Sequence, residues 1–184
     1  MLTFCFDPFP VLHTNRMILR QLTHEDAEAY FQIRSDEQVM EFIPRPLAKS
    51  PADAQVVIDL ISAGIDKNET INWALELKTK PGLIGVCGYV RATPENHRAE
   101  IGYILNRHYH RQGLMQEALE KIIEYGFSEM NLHSIEAVIM YRNKASASLI
   151  EKCSFVKEAH LKDYQYHRQQ FEDTCFFSRL NTRV

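Results

Sequence analysis

Residues 99–119, AEIGYILNRHYHRQGLMQEAL, run from a strand-like stretch into a helix through one short turn containing Gly113. From Leu114 onward Ala118, Leu119, Ile122, Ile123 and Phe127 follow at steps of three to four, the period of a helix with one apolar face. The first turn of such a helix has backbone N–H groups without intrahelical partners, and together with the positive end of the helix dipole they form a ready anion site. Residues 135–140 are β-type again, so the segment reads as a strand–helix–strand unit.

The elements before it are antiparallel in character. Residues 16–22 alternate apolar and polar, and Thr23, with Asp26 three positions on, is a helix N-cap for Ala27, Tyr30, Phe31 and Arg34. Ser50, Pro51 and Asp53 open a second helix, with Val56, Val57, Leu60 and Ile61 as its expected apolar face and an end at Gly64 or at residues 66–68. Residues 71–78 and 83–90 predict a hairpin that turns at Pro81-Gly82, and residues 93–96 turn the chain into the strand at 99–105. Asn143 caps a helix over 144–152, and residues 155–161 and 174–180 predict a closing strand pair around an exposed loop at 164–173. The order β-α-α-β-β-β-α-β-α-β-β implies an α+β fold with a mixed, mostly antiparallel sheet of about seven strands.

A chain of 184 residues with 45% hydrophobic composition can bury one substantial core, so a single domain spanning 1–184 is expected, with its core at about 14–180. A net charge of -3 with 24% charged residues gives no reason to expect nucleic acid or a membrane as a partner. Cys5, Cys87, Cys153 and Cys175 form no C-x-x-C pair and read as buried free thiols of a reducing compartment. With neither a signal-peptide pattern nor a membrane-length apolar run, a soluble cytoplasmic protein is expected.

The turn at Gly113 also carries a family resemblance. The run H-R-Q-G-L-M followed by Q-E-A-L resembles the coenzyme-A pyrophosphate loop of GNAT acetyltransferases, Q/R-x-x-G-x-G/A. Gly113 stands at its fourth position, with His110 at the Gln/Arg position and Met115 at the final small position. Thr14, Arg16, Leu19 and Arg20 resemble the T-x-R-L-x-L-R opening of the branch that includes the ribosomal-protein N-terminal acetyltransferases. Asn143 and Ser146 resemble its N-x-x-S helix start, and Phe155 the G-F that ends that helix, with Ser154 at the glycine. Each motif is weak alone; their joint occurrence in family order from about Thr14 to Leu180 carries the resemblance.

What the resemblance implies is a GNAT-like fold in which the strands at 100–105 and 135–140 splay apart to admit pantetheine. The backbone of Tyr103, Ile104 and Leu105 would bond its amides, and His110, Arg111, Gln112, Gly113, Leu114, Met115 and Gln116 would hold the pyrophosphate. Asn143 would cap its helix and touch the coenzyme. Glu100, at the start of the splayed strand and on one face with Gly102 and Ile104, is the candidate base; the same residue reads equally as a solvated strand-end carboxylate or a partner for Arg98. Ile150 stands where many relatives carry a tyrosine, which leaves Ser146 as the candidate donor to the leaving thiolate, or as a first-turn serine bonding local backbone. Trp73 and Tyr89 are expected in the core, Arg45 on the acceptor side or merely exposed, and His108 and His110 on the surface with no metal site.

The expected activity is transfer of acetyl from acetyl-CoA, as cosubstrate, to a primary amine: a protein N-terminal α-amine or a small-molecule amine. Two other readings stay open at this level, a non-catalytic acyl-CoA-binding module of the same fold and an unrelated α+β interaction domain. Whether the chain is a monomer or a homodimer is open.

Overall fold

The computed structural model describes residues 1–182. Eight strands form one sheet: β1 (Leu12–His13), β2 (Met17–Arg20), β3 (Ile71–Leu77), β4 (Lys80–Thr93), β5 (Arg98–Leu105), β6 (Ser134–Met140), β7 (Val156–His167) and β8 (Gln170–Leu180). Four α-helices flank it: α1 (Ala27–Arg34), α2 (Pro51–Asp66), α3 (Leu114–Ser128) and α4 (Lys144–Lys152). The order across the sheet is β1-β2-β3-β4-β5-β6-β8-β7, and β5–β6 is its parallel pair. The mixed α+β architecture follows the sequence reading, with eight strands in place of about seven. The added one, β1, is two residues long and too short to show any period.

The sheet divides the apolar side chains into two layers. On one face Leu119, Ile122 and Ile123 of α3 and Ile150 of α4 pack with Trp73, Tyr89 and Ile101; on the other, α1 and α2 bring Tyr30, Ile33, Ala54 and Ile58 against Leu83 and Val86. Trp73 and Tyr89 are fully buried, as expected; the indole N–H donates to the Pro10 carbonyl and the Tyr89 hydroxyl to the Ile122 carbonyl. Phe4 and Phe6 of the N-terminal segment are buried in the α3-side layer, which nothing in their spacing announced. Among the described residues no helix is long and apolar enough to cross a membrane.

Four local expectations are corrected. In α2 the buried residues are Ala54, Ile58 and Ile65, whereas Val56 and Leu60 are 59% and 68% exposed. That helix is apolar on most of its circumference, so periodicity alone does not choose the face; the position of α1 and the sheet does. The β3–β4 turn falls at Lys78-Thr79, and Pro81-Gly82 instead sits beside a bulge, with Gly82 at φ 117°. Residues 164–173 are no loop: β7 and β8 stay paired to His167↔Gln170 around a two-residue turn in which Arg168 and Gln169 are both left-handed. Such a turn normally announces itself by Asn-Gly, which is missing here. Cys5 is exposed, while the other three cysteines are buried; all four are free thiols.

Candidate functional site

The chemistry-bearing residues gather where the two parallel strands separate. β5 and β6 pair only through Arg98↔Ser134, Ala99↔Ile135 and Glu100↔Glu136, and from Ile101 to Leu105 the β6-facing edge of β5 has no strand partner. The cause is topological. β5 stays registered with β4 as far as Leu105↔Gly85, and β6 stays registered with β8 as far as Met140↔Thr174, so each strand follows its other neighbour. The sheet twist then opens a notch between them.

At the mouth of that notch stands the start of α3. Gly113 is its N-cap at φ 73°, and Arg111, two positions earlier, is also left-handed at φ 59°. No side chain caps the helix, and among the described residues the amides of Gly113, Leu114, Met115 and Gln116 find no acceptor. Backbone N–H groups turned outward in this way make a concave anion site. Met115, at the family's small position, is buried in the core, so its side chain leaves the backbone approachable.

Long-range contacts hold the turn from behind. Arg16 donates through Nη1 to the Gln112 carbonyl at 2.8 Å and through Nε to Glu117 Oε2 at 2.6 Å, while its backbone N–H bonds Glu117 Oε1 at 2.8 Å. Burial pushes the Glu117 carboxyl up, but bonds from Thr14 and Arg16 outweigh it and hold the group below the usual range. Its charge is thereby balanced by the Arg16 guanidinium. His110 donates through Nε2 to the Leu105 carbonyl at 2.9 Å, fastening the turn to the end of β5 and occupying one of the backbone acceptors expected for pantetheine. Gln112 is bonded to the His108 carbonyl and Gln116 to Glu120, so neither side chain is directed by an anion.

On the other wall, the Asn143 side chain accepts from the Ser146 amide at 3.0 Å, the cap the sequence indicates. Ser146 Oγ lies 2.5 Å from the Tyr103 hydroxyl, a contact that spans the gap from β5 to the start of α4. Tyr103 is partly buried, and desolvation pushes its hydroxyl well above the ordinary tyrosine value, so it is a neutral phenol throughout the physiological range. Ile150, at the family's tyrosine position, is fully buried. Nearby Cys153 is buried too and its thiol is pushed up to about 11. Ser154, at the family's glycine position, takes the left-handed backbone a glycine would favour, at φ 64°.

Glu100 occupies the last paired position before the strands part, and its partner is Arg91 on the neighbouring strand β4. Arg98 is engaged instead with Ser134 and, at 2.9 Å, with Glu136. Ile104, on the same face as Glu100, packs into the α1/α2 layer, so Glu100 looks toward that side of the sheet while Tyr103 looks toward α4. Arg45 is exposed and lines a cleft of about 570 Å³ with Glu37, Met40, Tyr166 and Arg168. The sequence reading missed the Arg16–Glu117 brace and the Tyr103 hydroxyl, while Arg45 was one of its candidates for the acceptor side. Arg16 lay within a recognised motif, but its partner is 101 residues away.

The chain matches the GNAT acetyltransferase domain over residues 16–156. It is 35% identical over 175 residues, covering 95% of this chain and 99% of the relative, to the N-acetyltransferase YoaA of Bacillus subtilis (strain 168). A GNAT-family acetyltransferase from Bacillus anthracis superposes with a TM-score of 0.84 at 26% identity, covering 93% of this chain and 98% of that one. The ribosomal L7/L12 α-N-protein acetyltransferase RimL, solved with coenzyme A, has the same fold, with a TM-score of 0.85 at 16% identity over 93% of this chain and 98% of that one. The parted parallel strands, the uncapped helix start at Gly113 and these likenesses lead to one conclusion: the chain belongs to the GNAT family and is an N-acetyltransferase.

Proposed function

We propose that the protein moves an acetyl group from acetyl-CoA to a primary amine by direct attack of the amine on the thioester. The observation that carries the reading is the row of unpaired amides at Gly113–Gln116 beside the parted edges of β5 and β6. A diphosphate would meet N–H groups backed by the Arg16 guanidinium, and an extended amide-bearing arm would lie along the free edge of β5 as an added strand. The coenzyme-A complex of the RimL fold relative supports the same use of this fold.

In this reading Glu100 takes the proton from the acceptor ammonium through a water, since amines with ordinary pKa values of about 8 to 10 are mostly protonated at neutral pH. The freed nitrogen adds to the acetyl carbonyl carbon, the carbon–sulfur bond then breaks, and the extra proton now on the nitrogen passes through the Ser146 hydroxyl to the departing sulfur, which leaves the serine neutral. The Tyr103 hydroxyl contacts Ser146 Oγ, and with the tyrosine as donor in that pair the serine hydrogen is free to point into the notch. The high thiol pKa of Cys153 argues against an acetylated cysteine as a way station, because the thiolate is the nucleophile.

The test is thiol release from acetyl-CoA in the presence of peptide N-termini, polyamines and aminoglycosides. Turnover on some member of the panel is expected; coenzyme binding without turnover on any amine sinks the reading. Glu100→Gln should slow transfer most at low pH, and an unaltered pH–rate profile removes Glu100 from the base role.

A further inference from the structure

We infer that the acceptor is an amine bearing a negatively charged group, carboxylate or phosphate, bound by Arg45 and Arg168 in the cleft between the α1–α2 connection and the tip of the β7–β8 hairpin. This rests on the transferase reading and narrows it. The cleft is built from segments that continue from the contacts at the ends of the two parted strands. After β5, Arg107 Nε pairs with Asp36 Oδ2 at 3.0 Å, and Glu37 and Met40 of the same segment line the cleft. After β6, the Tyr141 amide bonds the Asp173 carbonyl at 2.8 Å, and the hairpin continues from there to Tyr166, His167 and Arg168 on the opposite wall. His167 Nε2 donates to the Glu41 carbonyl at 2.9 Å, tying the hairpin tip to the α1–α2 connection. An acceptor anchored in this cleft by one end can reach with its amine along the parted strands toward Glu100.

The charges lining the cleft are unequal. Two guanidiniums, those of Arg45 and Arg168, face one carboxylate, that of Glu37. Of the neighbouring acids, Asp36 pairs with Arg107, Glu172 with Arg142 and Asp173 with His160, while Glu41, whose carbonyl meets His167, is exposed. Among the described residues, no carboxylate lies within ion-pair distance of either Arg45 or Arg168. Both are also set on stiff backbone. Arg45 lies between Pro44 and Pro46 with its amide bonded to the Ile43 carbonyl at 2.7 Å, and Arg168 occupies the first left-handed position of the two-residue turn. The rest of the lining is Met40, Pro44, Pro46, Leu47, Tyr166 and His167. A planar guanidinium fork matches a carboxylate or phosphate in two bonds, whereas a polyamine would meet net repulsion.

The experiment compares Ala-Glu-Glu, Ala-Gln-Gln, phosphoethanolamine and spermidine as acceptors for the full chain with acetyl-CoA, followed by thiol release. We expect kcat/KM for Ala-Glu-Glu to exceed that for Ala-Gln-Gln by about tenfold at low salt and the gap to shrink at high salt. In Arg45→Gln/Arg168→Gln the ratio between the two peptides should fall to near one, mainly through KM. Phosphoethanolamine outrunning Ala-Glu-Glu would assign the anion to a small phosphorylated amine, the reverse to an acidic peptide end. A preference for spermidine, or a peptide ratio unmoved by the double variant, overturns the inference while leaving the transferase intact. Should no amine turn over, calorimetry of Ala-Glu-Glu with coenzyme-A-loaded protein still decides: binding lost in the double variant supports the anion site, and no binding to the native chain refutes it.

Discussion

Replacing Gly113 by alanine separates the backbone's part in coenzyme binding from everything around it. Gly113 sits at φ 73°, and a Cβ added there would meet only Arg16 Nη2, at an ordinary 3.5 Å. The substitution therefore introduces no clash, and its cost is that of placing an L-residue in the left-handed region, about 1–2 kcal/mol. For a chain of this size that lowers the melting temperature of the free protein by about 2–8 °C. If the turn relaxes to escape the strain, the amides of Leu114 and Met115 swing off target and coenzyme binding weakens by a similar free energy, about 5–30-fold. Coenzyme A at a hundred times its native Kd stabilises the native chain by about 2.7 kcal/mol; in the variant the same concentration gives only about 0.9–1.8 kcal/mol. Thermal unfolding with and without coenzyme A measures both numbers. Gly113→Asn is the control, because asparagine tolerates the left-handed region and should recover part of each loss. A variant that melts lower and keeps the full coenzyme-linked gain has held the turn under strain; one that melts like the native chain and still keeps the full gain would show that these amides do not hold the coenzyme.

Other consequences are open to simpler tests. Tyr103→Phe should lower kcat more than it changes KM, and pairing it with Ser146→Ala should add little further loss, because both act on one proton; an acetyl thioester with a more acidic thiol should recover much of the rate, which a packing defect would not allow. Ser154→Gly removes a side chain from a left-handed position at φ 64° and should raise stability by about 1 kcal/mol in denaturant unfolding; a loss would mean that the serine contributes more than it strains. Burial raises the Asp26 carboxyl, but the Arg20 fork and the Thr23 amide overcome it and keep its pKa below the ordinary aspartate value. Its contribution to stability is accordingly full above the unfolded-state pKa and disappears as pH falls through the lower folded value; in Asp26→Asn that segment of the acid-unfolding curve should flatten.

Local signals in the chain were enough for the elements and their order. The three-to-four spacing from Leu114 to Phe127, the caps at Ser50 and Asn143 and the glycine before α3 each depend on residues within one or two turns of one another, and each recurs in the structure. The signals failed where the local pattern fits two outcomes: α2 is apolar on too many sides to show which one is covered, and Arg168-Gln169 makes a tight turn without the residues that normally mark it.

The turn before α3 was legible because its backbone geometry is one that a single glycine announces. The rest of the site was decided by tertiary structure, because it depends on distances between residues far apart in sequence. β5 and β6 part because β4 and β8 hold them on separate courses. Tyr103 meets Ser146 across 43 residues, and Arg45 shares a cleft with Arg168 only because the hairpin tip is bonded back to Glu41. A charge becomes a recognition element when its partners are absent, and that is a property of the folded surroundings, which no stretch of the chain contains by itself.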